Sequence, residues 1–190
     1  MIPLLKEMIK VYWEMITFKR SPLDTPDSTM MLLIAIGLSL SISLGQLVVS
    51  FNLGKLTMPL WVSILMIISQ LILAFLYIRF ILWTQNKQMV WQKLMTCWVM
   101  MLFILDSLAF LMMLLILVID AFGLLMVLQK GVIFLSIVVG LVLSFWQISF
   151  SVRLYQLFLN QSVFFAIGVY LGWFGLNFLY LTFLRTLLQI

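Results

Sequence analysis

The sequence predicts an all-α membrane protein, with five transmembrane helices preceded by an amphipathic interfacial helix. The chain of 190 residues is 65% hydrophobic and only 9% charged, whereas soluble domains carry roughly a quarter charged residues. Its mean hydropathy is +1.25. Five apolar stretches are each long enough to cross a hydrocarbon core roughly 30 Å thick as a helix. Lipid, and not water, is therefore the expected solvent for most of the surface.

The first predicted element is an amphipathic helix over residues 1–20. The polar side chains between residues 6 and 17 share about a third of a helical wheel, and apolar residues occupy the rest. Such a helix is suited to lying in a membrane interface. Acidic residues interrupt it, and no cleavage site follows, so a signal peptide is not indicated. The basic residues expected at the interface are Lys6, Lys10, Lys19 and Arg20.

Residues 21–28 are predicted to form a linker. Pro22 and Pro26 each discourage helix at the preceding residue. Asp27 or Ser28 can then cap the next helix. The surface helix is therefore expected to end here and the bundle to begin at residue 29.

The five-helix transmembrane bundle is predicted to occupy residues 29–190. Asp120, Gly123 and Lys130 bracket an apolar connection, expected at the interface, between the third and fourth spans. The predicted spans cover approximately residues 30–49, 58–83, 94–118, 132–151 and 163–184.

The basic residues predict the orientation, because Lys and Arg in short loops resist translocation. With five spans, the N-terminal side collects Lys6, Lys10, Lys19, Arg20, Arg79, Lys87, Lys93 and Arg153. The opposite side receives Lys55, Lys130 and Arg185. Eight against three favours a cytoplasmic N-terminus and a C-terminus outside.

Several function classes have no support in the sequence. The chain has no histidine, so no protein imidazole can ligate haem or a metal ion. Its one cysteine, Cys97, cannot form an intramolecular disulfide. No nucleotide-binding loop, serine-nucleophile elbow or zinc-protease motif occurs. We expect no enzymatic activity, no cofactor and no metal, and no nucleic-acid binding, because the basic residues flank apolar spans.

Asp106 is the most informative single residue, because it falls near the middle of the third span, where a carboxylate is expensive. One interpretation is a proton or cation site. The other, which we favour about two to one, is a structural Asp that is neutral or hydrogen-bonded to another helix. Gln70 and Asn177 lie at similar depth, and we hypothesise that Asp106 pairs with one of them.

Small residues recur at helical spacing in three spans, and each set can let a neighbouring helix approach closely. We therefore expect the first, fourth and fifth spans to make the tightest contacts. The bulky faces of the second and third spans are expected to contact lipid or partners. The small residues are Gly37, Ser41 and Gly45 in the first span, Ser136, Gly140 and Ser144 in the fourth, and Gly168, Gly172 and Gly175 in the fifth.

The layout resembles that of small bacterial inner-membrane proteins of the Yip type. The resemblance lies in the amphipathic helix, the Ser-Pro-x-Asp-x-Pro linker at residues 21–26, the five spans and the segment at residues 145–155 before the last span. It implies a five-helix bundle with a cytoplasmic N-terminus. The eukaryotic Yip motifs Asp-Leu-Tyr-Gly-Pro and Gly-Tyr-Gly are missing, so no trafficking role or functional residue carries over.

Two functions remain open. The favoured one is a structural, accessory or assembly subunit of a membrane complex, which binds other membrane proteins or copies of itself through its surface helix and its lipid-facing apolar surfaces. The alternative is a small transporter, channel or lipid-handling protein that uses Asp106. A pore should show polar residues along one stripe of two or more spans, and these spans show few, which favours the subunit.

Overall fold

The structure is a computed structural model that describes residues 2–26, 28–53, 58–121 and 125–188. The described residues form helices and turns, without a strand. The helices are α1 (Ile2–Ile16), α2 (Thr29–Asn52), α3 (Leu60–Thr84), α4 (Trp91–Ala121), α5 (Leu125–Leu159) and α6 (Val163–Leu188), with short 3₁₀ turns at Pro22–Asp24 and Gln88–Val90.

Helices α2 to α6 are each long and apolar enough to cross a membrane. The fold class predicted from the sequence is therefore confirmed: the chain is an α-helical integral membrane protein with five candidate spans and a shorter helix before them. Side chains in these spans are apolar around the whole helix, as expected where lipid or another helix covers every face.

The third and fourth spans are longer than predicted. Helix α4 has 31 residues and α5 has 35, although about 20 suffice to cross the hydrocarbon core. The connection expected between Asp120 and Lys130 is mostly helical, since α4 continues to Ala121 and α5 starts at Leu125. No proline interrupts this stretch, and its residues are compatible with helix. Three residues singled out in the sequence lie outside the described ones, namely Asp27, Lys55 and Gly123.

Three helices end in a residue of left-handed conformation. The φ angles are 61° at Phe18 after α1, 55° at Asn86 after α3 and 50° at Asn160 after α5. Asparagine tolerates this conformation, whereas it is unusual for a bulky residue such as phenylalanine. Phe18 is held there by its surroundings: its ring lies 6.1 Å from that of Phe150, and the Arg153 guanidinium carbon lies 5.0 Å from its centroid.

Helix α4 is the centre of the bundle. It packs most extensively against α2, with which it runs parallel, and also against α5 and α3; α6 contacts α5 and α3. The expectation that the first, fourth and fifth spans make the tightest contacts is therefore wrong, because the third span takes the central place. Its first half carries flexible or small apolar side chains, such as Met95, Met100 and Cys97, that are fully buried. Such side chains fill irregular gaps between helices well.

The buried core occupies one end of the bundle. It combines the first half of α4 with the start of α2, the end of α3, the end of α5 and the start of α6. At the other end most side chains are half or fully exposed within the chain, for example Phe134 and Leu141 of α5. Lipid or another protein must cover that end.

The last turn of α1 belongs to this core. Tyr12, Met15 and Ile16 are fully buried, and Trp146 Nε1 of α5 donates a hydrogen bond of 2.9 Å to the Ile16 carbonyl oxygen. An interfacial helix was expected to bury its apolar face in lipid, but here the bundle covers its final turn. Lys6, Lys10 and Lys19 are exposed, as a position beside lipid headgroups requires.

The linker is also fastened to the bundle. The Thr25 hydroxyl oxygen lies 3.2 Å from Cys97 Sγ, and Lys93 Nζ donates to the Leu23 carbonyl oxygen. Within the linker, Arg20 donates to the Asp24 carbonyl oxygen. These contacts hold the N-terminal segment against α4 and explain why Cys97 is inaccessible.

Candidate functional site

A cavity of about 250 Å³ with both polar and apolar lining residues lies among the five long helices. Each helix from α2 to α6 contributes at least one polar side chain to its lining. The structure thus brings together Asp106, Gln70 and Asn177, the three intramembrane residues that the sequence singles out. The polar lining residues are Ser39, Ser43, Gln70, Asp106, Gln147 and Asn177.

The cavity is at the middle of the bundle. Asp106 is the central residue of α4, and Gln70 lies close to the centre of α3. At 1.5 Å per residue, Asp106 is roughly 22 Å from either end of its helix. Its carboxyl group therefore cannot reach the headgroup region by extending its short side chain.

The polar side chains in the cavity do not pair with one another. No described residue forms a hydrogen bond or ion pair with the Asp106 carboxylate or with the amides of Gln70 and Gln147. The Asn177 Oδ1 atom is buried and has no hydrogen-bond partner among the described residues. The hypothesis that Asp106 pairs with Gln70 or Asn177 is thus wrong as a direct bond, because the side chains stand apart around a shared space.

One contact fixes the backbone beside the carboxylate. Gln46 Nε2 of α2 donates a hydrogen bond of 3.0 Å to the backbone carbonyl oxygen of Asp106. This bond ties α2 to α4 at the level of the cavity. Gln46 and Gln147 were missed as candidates, although each is an amide in an apolar span, which is the same signal that identifies Gln70.

Aromatic rings form the side of the cavity nearest the core. The rings of Trp98 and Trp173 both line it, with centroids 6.0 Å apart and planes perpendicular. The Tyr77 ring packs 5.7 Å from that of Trp173, and its hydroxyl donates a hydrogen bond of 2.6 Å to the Val169 carbonyl oxygen. These aromatic contacts close the cavity toward the buried end of the bundle.

The predicted packing glycines differ in their surroundings. A Cβ at Gly45 would lie 3.7 Å from the Phe110 ring, and one at Gly172 would lie 2.7 Å from Tyr77 Oη. No atom lies within 4 Å of a Cβ built at the four other glycines of the three sets, which are Gly37, Gly140, Gly168 and Gly175.

The serines of the same sets bond within their own helices. Ser41 donates to the Gly37 carbonyl oxygen, Ser136 to that of Val132 and Ser144 to that of Gly140. Their hydroxyl groups are therefore satisfied without a neighbouring helix. Among the glycines of the three sets, only Gly45 and Gly172 have an atom of a neighbouring helix within 4 Å of the Cβ position.

The side chains that line the cavity are suited to binding a guest molecule. Among its described lining residues, Asp106 is the one charged group, and amides, hydroxyls and indoles make up the other polar lining. No group of three or more His, Cys, Asp or Glu that could hold a metal ion occurs among the described residues. The lining offers hydrogen bonds and one negative charge to a guest.

The chain was compared with protein-family models, curated proteins and solved structures, and it matches none of them.

Proposed function

We propose that the protein is a small, non-enzymatic membrane transporter that binds a polar solute in the cavity around Asp106. This is the alternative function that the sequence left open. The observation that now carries it is the assembly of polar side chains from all five spans around one space at mid-depth, where the side chains of Asp106, Gln70 and Gln147 have no hydrogen-bond partner among the described residues.

Unsatisfied polar groups are the physical basis of this proposal. A polar atom buried without a hydrogen bond costs about 1 to 3 kcal/mol by protein mutational data. A carboxylate and three amides around the same space would destabilise the packing of the helices unless another molecule forms hydrogen bonds with them. Water or a polar solute in the cavity supplies those bonds. Its volume of about 250 Å³ would hold about eight waters at ~30 Å³ each.

A transporter does not need the polar stripe along individual spans that a continuous pore requires. A transporter site at the bilayer midplane can instead be assembled by several helices that contribute one or two polar groups each. The residues around Asp106 have this arrangement, since α3, α4, α5 and α6 each provide one carboxylate or amide side chain and α2 provides two serines. The scarcity of polar residues in each span is therefore compatible with transport.

Thiol accessibility tests whether the cavity contains water. In a Cys97→Ser background, Gln70→Cys places a thiol in the cavity. The matched control Ile72→Cys places one at nearly the same depth of α3, where the side chain is 53% exposed to the surroundings of the bundle. We expect a small water-soluble thiol reagent to modify Gln70→Cys at least about tenfold faster than Ile72→Cys, because the reactive thiolate does not form in hydrocarbon.

Equal rates for the two variants would contradict the proposal, provided that both elute as folded protein in size-exclusion chromatography. A third variant, Asn177→Cys, approaches the same cavity from α6 and repeats the test if Gln70→Cys does not fold. Uptake of the bound solute into proteoliposomes then distinguishes transport from binding alone. The variant Gln70→Trp, which fills the cavity, should abolish this uptake.

A second function, accessory subunit or homo-oligomer, is favoured by a different observation. Within Lys130–Leu159, the 18-residue stretch that is apolar enough to cross a membrane contains no buried residue. Bulky side chains of α5, such as Phe134, Leu141 and Phe145, are exposed. Purification in mild detergent with mass measurement of the intact particle tests this function. A stoichiometric second protein would support it, and a monomer would count against it.

The proposed location is a bacterial inner membrane with the N-terminus in the cytoplasm. Support comes from the basic residues at the buried end of the bundle. Lys87 bonds the Leu159 carbonyl oxygen at the end of α5, and Lys93 and Arg153 contact the N-terminal segment. Kinship with Yip-type proteins stays a prediction that rests on layout.

A further inference from the structure

We infer that the cavity selects a small monovalent organic cation, for which the Asp106 carboxylate is the counter-charge. The inference rests on the proposed function and adds the class of solute. It draws on three properties of the described lining: its charge, its unpaired acceptors and its aromatic wall.

The charge of the lining favours a cation. Asp106 is its one acidic residue, and no Lys or Arg is among the described residues that line it. A carboxylate far from water is costly unless a positive group stands beside it. A guest with one positive charge makes the occupied cavity neutral, whereas an anion would add repulsion and a divalent ion would leave an uncompensated charge.

The unpaired atoms favour a guest that donates hydrogen bonds. The Asp106 carboxylate has no partner among the described residues, and the buried Asn177 Oδ1 has none either. Both are acceptors. An ammonium group carries donors and no acceptor, so it complements the Asp106 carboxylate, whereas a group that offers only acceptors does not.

The remaining lining favours an organic cation over an alkali ion. Trp98 and Trp173 both line the cavity and contact each other edge to face, and an indole attracts cations more strongly than other aromatic rings do. Apolar side chains complete the space and suit a carbon skeleton; these are Leu40, Ile67, Leu71 and Leu102. A hydrated alkali ion would gain nothing from them.

Charged thiol reagents test the selectivity directly. In the protein that carries Cys97→Ser and Gln70→Cys, we compare a cationic ammonium methanethiosulfonate with an anionic sulfonate of similar size, each rate being divided by its rate with a free thiol in solution. We expect the cationic reagent to be favoured by at least about tenfold, because it must react inside the cavity that Asp106 also lines, and unit charges interact strongly in a medium of low dielectric constant.

Asp106→Asn is the decisive variant. It keeps the shape of the side chain and removes its charge, so the preference for the cationic reagent should fall to near parity. The matched control is Asp24→Asn, the same chemical change on an exposed side chain of the linker, which should leave the preference unchanged. A preference that is absent, or that Asp106→Asn does not alter, overturns the inference.

Protection experiments identify the organic character of the guest. Phenethylammonium should slow modification of the Gln70→Cys thiol by a neutral reagent, whereas 2-phenylethanol, phenylacetate and sodium chloride at the same concentration should not. Equal protection by the alcohol would refute the role of charge, and equal protection by sodium would refute the role of the aromatic wall.

The two proposals fail in different ways. If Gln70→Cys reacts with the neutral reagent much faster than Ile72→Cys but shows no preference for cations, the cavity is a polar site and the solute class is wrong. If Gln70→Cys is as unreactive as Ile72→Cys, the cavity is not accessible to solutes, and both proposals fall together.

Discussion

Gly172 of α6 leaves room for a side chain of α3, because it has no side chain of its own. A Cβ at this position would lie 2.7 Å from the hydroxyl oxygen of Tyr77, which donates a hydrogen bond to the Val169 carbonyl oxygen. The Tyr77 ring also packs against Trp173 in the wall of the cavity. The absence of a side chain at Gly172 therefore lets one tyrosine bridge two spans beside the proposed binding site.

Gly172→Ala should lower the free energy of unfolding by about 1 to 2 kcal/mol, because the Tyr77 ring must shift and lose its bond to Val169. The measurement is the loss of helical structure as sodium dodecyl sulfate is added to mixed micelles. Gly168→Ala is the control, since no atom lies within 4 Å of its Cβ position, and its stability should be unchanged or slightly higher. Similar losses for both variants would contradict this account of Gly172.

At the scale of elements, the N-terminal helix α1 shows what an amphipathic pattern predicts and what it leaves undetermined. Its polar residues mark the face that stays exposed, and Lys6 and Lys10 are exposed in the structure. The pattern does not say whether the opposite face meets lipid or protein, because both surroundings are apolar. In the structure the bundle covers the last turn of α1, including Met15 and Ile16.

Met15→Ala should therefore destabilise the protein by about 2 to 3 kcal/mol, as expected for truncating a fully buried methionine. Ile9→Ala, on the same helix but 37% exposed, should cost less than about 1 kcal/mol. The same detergent titration measures both. Were α1 only resting on lipid, the two substitutions would have equally small effects.

For the whole molecule, the distribution of charge predicts a single orientation. An odd number of spans puts the two termini of the chain on opposite sides of the membrane. The described residues Lys87, Lys93 and Arg153 gather at the end of the bundle where the core is buried. Lys130 and Arg185 belong to the other end. Positive residues are retained in the cytoplasm, so the buried end should face it.

Alkaline phosphatase, which is active only outside the cytoplasm, should be active when it is fused after Ile190. A fluorescent protein that matures only in the cytoplasm should be dark at the same position. The same pair of reporters before Met1 should give the reverse pattern. If both termini were cytoplasmic, one of the five candidate spans would not cross the membrane; if only the C-terminus were cytoplasmic, the predicted orientation would be reversed.

Composition and span length by themselves determined the class of this protein. Apolar segments of such length must satisfy their backbone hydrogen bonds as helices in a bilayer, so five spans and a surface helix follow without knowledge of any contact. The few polar residues inside those spans, above all Asp106, Gln70 and Asn177, were identifiable for the same reason: each is costly in lipid.

Only the tertiary structure decided how those helices and residues meet. It made the third span central, buried the last turn of α1, and set Asp106, Gln70 and Asn177 around an open space without bonding them together. The spans are apolar on every side, so hydrophobic periodicity does not mark the face on which each one packs. Inside a membrane that choice depends on the fit of shapes and on a few hydrogen bonds between helices, which appear only when all five are assembled.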